Sequence, residues 1–140
     1  MQEDKLYHYA VIRLVPKIER EEFINIGLIL FSKNEKFIRL KYHLCKEKFK
    51  LMCTDIEYEE VLNSLETYKQ IAEGNKDFGP ISEMDIPERF RWLAAVRSSI
   101  IQTSSTHIGK TDNLEETFDV MKHIYNIKYL ENGIINEVFK

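Results

Sequence analysis

The sequence predicts an α+β fold: a small antiparallel sheet, made of an N-terminal three-stranded meander and a later strand near 98–103, packed against three to four helices. Three observations carry this. Apolar runs rich in β-branched and aromatic residues follow one another within the first 43 residues, joined by short polar connections. The apolar spacing then changes from strand-like to helical. Strands group with strands and helices mostly follow, which is the α+β order rather than an alternating one.

The first strand is expected over residues 6–15, LYHYAVIRLV, which stops at Pro16. After the polar PKIERE, the second is expected over 22–32, EFINIGLILFS, and the third over 37–43, FIRLKYH. Connections this short favour antiparallel neighbours. Simple alternation puts Phe23, Asn25, Gly27, Ile29 and Phe31 on one face of the second strand. Asn25 is then polar among apolar neighbours, and Gly27 marks a bulge or a close backbone approach.

A short helix is expected over CKEKFKLM, and a longer one over 55–74. The latter sets Ile56, Val61, Leu62, Leu65, Tyr68 and Ile71 near one face, with Asp55 as its cap and Gly74 as its stop. Residues 75–86 carry Gly-Pro and no period, so they read as loop. Pro87 suits a first helical turn, which opens a helix over PERFRWLAAVR. There Arg89 and Arg97 share one face, and Phe90, Leu93 and Ala94 lie on another. SSIIQT (98–103) is the late strand and SSTHIGKTD (104–112) reads as loop. NLEETFDVMKHIYNIKYL (113–130) is a long closing helix with Leu114, Phe118, Met121, Ile124 and Tyr125 in one stripe. No repeat, linker or low-complexity tract divides the chain, so residues 1–140 read as one domain.

Composition narrows the function classes. The chain has 140 residues, 44% of them hydrophobic and 11% aromatic, enough apolar area for a core and against disorder. Its net charge of −3 argues against generic nucleic-acid binding, which relies on Lys and Arg at phosphates. Cys45 and Cys53 form no CxxC pair, so neither a disulfide framework nor a zinc site is expected. The start MQEDKLYHY lacks a basic, then apolar, leader pattern, and no run approaches membrane-spanning length. The expected location is the cytoplasm, with no membrane association, no metal and no cofactor.

Chemistry concentrates in RSSIIQTSSTHIGKTD. SSTHIGKT nearly fits a phosphate-binding loop, G-x-x-x-x-G-K-[ST], but Ser104 replaces the first Gly and a meander precedes it. Grouping Ser99, Ser104 or Ser105 with His107 and Asp112 as a triad has only sequence proximity behind it, and triads are defined by geometry. His107 and Asp112 are too few ligands for zinc. An anion site fits better, with Arg97, the Ser98 and Ser99 hydroxyls, Gln102 and His107 converging on a phosphate or carboxylate. Arg13 and Arg20 add polar groups near Asn25.

Two blocks together resemble a known family. YAVIRLVPKIEREEFINIGLILF places Tyr9, Arg13, Pro16, Arg20, Glu22, Phe23, Asn25, Gly27 and Phe31 on the N-terminal pattern of the bacterial family called domain of unknown function 3037. RFRWLAAVRSSIIQTSSTHIGKTD matches its second pattern at Arg91, Trp92, Arg97, Ser98, Ser99, Gln102, Ser104, His107, Gly109, Thr111 and Asp112. The resemblance implies a small bacterial protein of unassigned function. It also suggests an accessory role beside a kinase-like protein of the HipA toxin type, as in a toxin–antitoxin pair. The site expected from both readings is Arg13, Arg20, Asn25, Arg97, Ser99, Gln102, His107 and Asp112. Its favoured role is a non-catalytic binding or regulatory module with a protein partner. The alternative is a phosphate-ester or nucleic-acid-processing enzyme, with His107 as acid or base and Arg97 stabilising developing charge.

Overall fold

The computed structural model describes residues 4–95 and 100–127. Strands β1 (Lys5–Leu14), β2 (Ile24–Ser32) and β3 (Phe37–Tyr42) form the expected meander. Helices α1 (Lys46–Met52), α2 (Tyr58–Ala72) and α3 (Ile86–Ala94) follow, then β4 (Ile101–Thr103), β5 (His107–Thr111) and α4 (Leu114–Ile124). Strand order is β3-β2-β1-β4, all antiparallel, and β5 also pairs with β1. The α+β expectation holds.

The two sheet faces carry separate apolar clusters. Ala10, Ile12 and Leu14 of β1 face α1–α3, packing with Ile29, Phe31, Phe49, Leu65 and Phe90. Tyr7 and Val11 point the other way, with Leu28 and Leu30, against Leu114, Phe118 and Met121 of α4. Phe118 and Leu114 are buried, and so is Leu30 beneath them. Burying a large apolar side chain stabilises by roughly 1.5–3 kcal/mol, which is why a helix with one apolar stripe settles here.

Several local expectations change. SSTHIGKTD is not all loop: residues 107–111 form β5. The first strand is ten residues long, and β4 covers only Ile12–Leu14, so its free edge at Lys5–Tyr9 takes β5 as partner. Gly is weak in strands, but here Gly109 lies opposite Tyr7 and the phenol ring covers it. Any Cβ at position 109 would collide with that ring.

The closing helix ends at Ile124, well before residue 130. Asn126 takes a left-handed conformation (φ 64°), with its N–H donating to His123 O (3.1 Å) and that of Ile127 donating to Lys122 O (2.7 Å). This is the Schellman pattern, and Ile127 is buried as its apolar anchor. Ile124 leaves the predicted stripe and stands 68% exposed. The long helix α2 begins at Tyr58 with Glu57 before it, so Asp55 is not its cap. Between α2 and α3 the expected loop contains short 3-10 turns, Lys76–Phe78 and Pro80–Glu83. Asp85 caps α3 by accepting from the Glu88 N–H, and Pro87 sits in its first turn. Arg89 is not simply solvated: its Nη1 donates to Ala72 O at the end of α2 (3.3 Å). This places a cation at a helix C-terminus.

Candidate binding site at one end of the sheet

The strand β2 does not alternate throughout. Ile12 pairs with Gly27, but Arg13 pairs with Asn25, so Ile26 is an extra residue in β2. That bulge changes the parity of the strand. Ile26, Ile29 and Phe31 face α1–α3, whereas Asn25 moves to the α4 side with Arg13. The expectation that Phe23, Asn25, Gly27, Ile29 and Phe31 share a face is therefore corrected. Gly27 does mark a close approach: a Cβ there would lie 3.1 Å from Ile12 Cβ and from Lys41 O.

The shift builds a polar cluster. Arg13 pairs with Asn25 on one side and Gln102 on the other, and residues directly opposite in a sheet present their side chains to the same face. The Arg13 guanidinium lies over the Phe23 ring, 4.3 Å from its centre. Its Nε is buried and has no hydrogen-bond partner among the described residues. Arg13, Glu21, Glu22, Phe23 and Gln102 line an open cleft of about 280 Å³. Glu21 holds a positive φ of 56° at its rim. The carboxylate of Glu22 pairs with Arg20 at 3.6 Å, both well exposed.

Asn25 does not reach into that cleft. Its amide donates to Tyr125 O at the end of α4 (3.3 Å), which ties β2 to the helix terminus. Tyr125 in turn shares a hydrogen bond with Tyr9 across 3.0 Å, with either hydroxyl able to donate. Burial first, then that hydrogen bond, push the Tyr9 phenol up to about 12, so it stays neutral.

His107 pairs with Tyr9 and stacks on it, ring centres 5.1 Å apart, and is exposed. It shares the face of Arg13, but Tyr9 and Arg13 are four residues apart on β1, about 13 Å. Asp112 follows the far end of β5, where its carbonyl accepts from Lys5 Nζ (3.3 Å). Lys5 is eight residues from Arg13, roughly 26 Å along the strand, so Asp112 belongs to no common site with Arg13. Arg97 and Ser99 lie outside the described residues. Thus Arg13, Asn25 and Gln102 come together, Arg20 sits at the rim through Glu22, His107 is on the same face farther along, and Asp112 is remote.

Ser104 proves to be a fold residue. It is buried, and its N–H donates to Val11 O (2.8 Å) while its Oγ accepts from the Val11 N–H (2.9 Å). It thereby bridges the gap between β4 and β5, and its hydroxyl also donates to Ser105 O (2.9 Å). Thr111 has a similar internal use, with its Oγ1 accepting from the Asn113 N–H and lying 2.6 Å from Thr117 Oγ1.

Phe23 joins the site although strand alternation makes it only an apolar strand residue; it is 47% exposed. The signal available was an aromatic residue directly after Glu21 and Glu22 at a strand entrance. Among the described residues, no group of three His, Cys, Asp or Glu gathers as a metal set, and no helix is long and apolar enough to cross a membrane.

Comparison with curated proteins and with solved structures finds no match. Residues 9–125 match the family described as protein of unknown function (DUF3037), a span that includes β1 from Tyr9, the bulge, the cleft and all of α4. The chain belongs to that family.

Proposed function

We propose that the protein is a non-catalytic binding module of the cytoplasm that docks a protein partner on the cleft around Arg13 and Phe23. The observation that carries this reading is Arg13: paired in the sheet with Asn25 and Gln102, its guanidinium over the exposed Phe23 ring and lining an open cleft. Arginine suits a planar carboxylate or phosphate, which it grips through two N–H groups.

The cleft also holds Glu21 and Glu22. Mixed charge beside an exposed aromatic ring fits a polypeptide surface better than a small polyanion, because both signs find complements there. The partner class implied by the family resemblance is a kinase-like protein of the HipA toxin type, with this chain as its accessory or antitoxin. The rival phosphate-ester reading rests on His107 with Arg97, and within the described residues His107 contacts the Tyr9 ring rather than an acid or base partner.

The test is affinity purification of the tagged chain from its own host, with Arg13→Ala and Phe23→Ala variants in parallel. A stoichiometric kinase-like protein that is lost in both variants supports the proposal. A chain that elutes alone, or a partner retained equally by both variants, overturns it.

A further inference from the structure

Phe23 is a wall between two clefts. On the side away from Glu21 and Glu22, it joins Asn25, His43, Lys48, Tyr125 and Asn126 around a second cleft of about 230 Å³. The chemistry differs from that around Arg13. Among the described residues no carboxylate lines this second cleft, and its one full charge is the exposed Lys48 ammonium, which forms no ion pair there.

The neutral groups are held in place. Asn25 is anchored by its bond to Tyr125 O. Asn126 is fixed by its left-handed turn. His43 is tied to β2 by its backbone N–H, which donates to Ile26 O (2.8 Å). Burial, and then Lys48, lower the pKa of the imidazole, which favours its neutral form.

One opposing effect is the C-terminus of α4, whose carbonyls would repel an anion. Four carbonyls at that end already accept hydrogen bonds: Met121 O from Tyr125, Lys122 O from Ile127, His123 O from Asn126, and Tyr125 O from Asn25. The lysine is then the dominant charge in the cleft.

We propose that this second cleft binds a small phosphate monoester, with Lys48 as the counter-charge, the Asn25 and Asn126 side chains as hydrogen-bonding groups, and Phe23 and Tyr125 as walls for the organic part. The volume suits a phosphate bearing a compact, flat body of mononucleotide size. The inference stands apart from partner docking at Arg13, since Lys48 and His43 do not line that cleft.

The experiment is calorimetric titration of the full chain with inorganic phosphate and with adenosine monophosphate, repeated on Lys48→Glu and Lys48→Arg. Lys48 is exposed, so both variants keep the fold, and circular dichroism checks this. The expected result is tighter binding of the monoester than of phosphate. Lys48→Glu should weaken it roughly tenfold or more, the loss expected for a charge-assisted contact, and Lys48→Arg should largely restore it. Phosphate binding as well as the monoester would overturn the organic half of the proposal. Absence of binding, or equal binding by Lys48→Glu, would overturn the site.

Discussion

The two ends of β1 use polar residues in opposite ways. At the Lys5–Val11 end Ser104, Gly109 and Thr111 are consumed by the fold, although the buried His8 Nδ1 has no hydrogen-bond partner among the described residues. Ser104 holds the Val11 backbone from both sides, Gly109 makes room for Tyr7, and Thr111 ties the turn into α4. At the Ile12–Leu14 end polar residues remain open. Arg13 rests on an exposed Phe23, keeps an unpartnered Nε, and faces a cleft. Residues that look equivalent in a sequence pattern therefore divide into those that close the sheet and those that present a surface. The dividing point is the Ile26 bulge in β2 on one side and the Ser104 break between β4 and β5 on the other.

The largest expected effect breaks the closed end. Gly109→Ala drives a methyl group into the Tyr7 ring, and overpacking of this kind costs about 1–3 kcal/mol. In a Tyr7→Ala background the same change should cost far less, because the ring is gone. Urea denaturation of the four proteins of that double-mutant cycle measures the coupling. Equal cost in both backgrounds would mean that the ring does not set the requirement for glycine.

Next comes Ser104→Ala. It removes the acceptor for the Val11 N–H and leaves a buried donor unmet, at a cost of about 1–3 kcal/mol. If Ser104 instead served a ligand, the change would spare the melting temperature and impair binding. Thermal denaturation alongside partner capture separates the two.

Sequence patterning made the meander, α2 and the α+β order legible because each depends on local spacing. It also groups Arg13, Asn25 and Gln102 as candidate site residues, but whether their segments meet is decided by the pairing of β4 with β1. What it missed depends on register. Strict alternation cannot anticipate the extra residue at Ile26, so Asn25 was assigned to the wrong face. Residues 107–111 read as loop because His, Gly and Lys carry little strand propensity; the uncovered edge of a ten-residue β1 decides their state. Lys48, His43 and Asn126 meet only through the packing of α1 and α4 around the sheet end, which leaves no trace in sequence spacing.

At the open end the stability change should be small and the binding change large. Arg13→Ala loses its contact with the Phe23 ring, worth about 0.5–1 kcal/mol at an exposed site, and relieves a buried unmet donor. The net shift in unfolding free energy should stay under about 1 kcal/mol, while partner capture fails. A loss comparable to that of Ser104→Ala would place Arg13 among the residues that hold the fold, and would erase the contrast between the two ends.

The smallest effect concerns the strap that keeps α4 over the closed face. Arg39 of β3 donates to both carboxylate oxygens of Glu115 in the first turn of α4, at 2.7 and 2.6 Å. The hydrogen bond from Arg39 holds the Glu115 carboxyl below the usual glutamate range. A carboxyl lowered in this way stabilises the fold above its unfolded pKa, and that contribution fades as pH falls through its folded value. Glu115 is 60% exposed, so solvent screening limits the pair to well under about 1 kcal/mol. Glu115→Gln should therefore be slightly less stable than the unmodified chain at pH 7, and the difference should shrink as pH falls below the usual glutamate range, by urea denaturation at both ends. Because Tyr125, the C-cap of α4, hydrogen-bonds both Tyr9 and Asn25, the same variant tests whether the open end depends on this strap. Partner capture unaffected by Glu115→Gln would mean that the Asn25–Tyr125 and Tyr9–Tyr125 hydrogen bonds suffice to position the helix terminus. Weakened capture would mean that the closed face transmits its order to the open one.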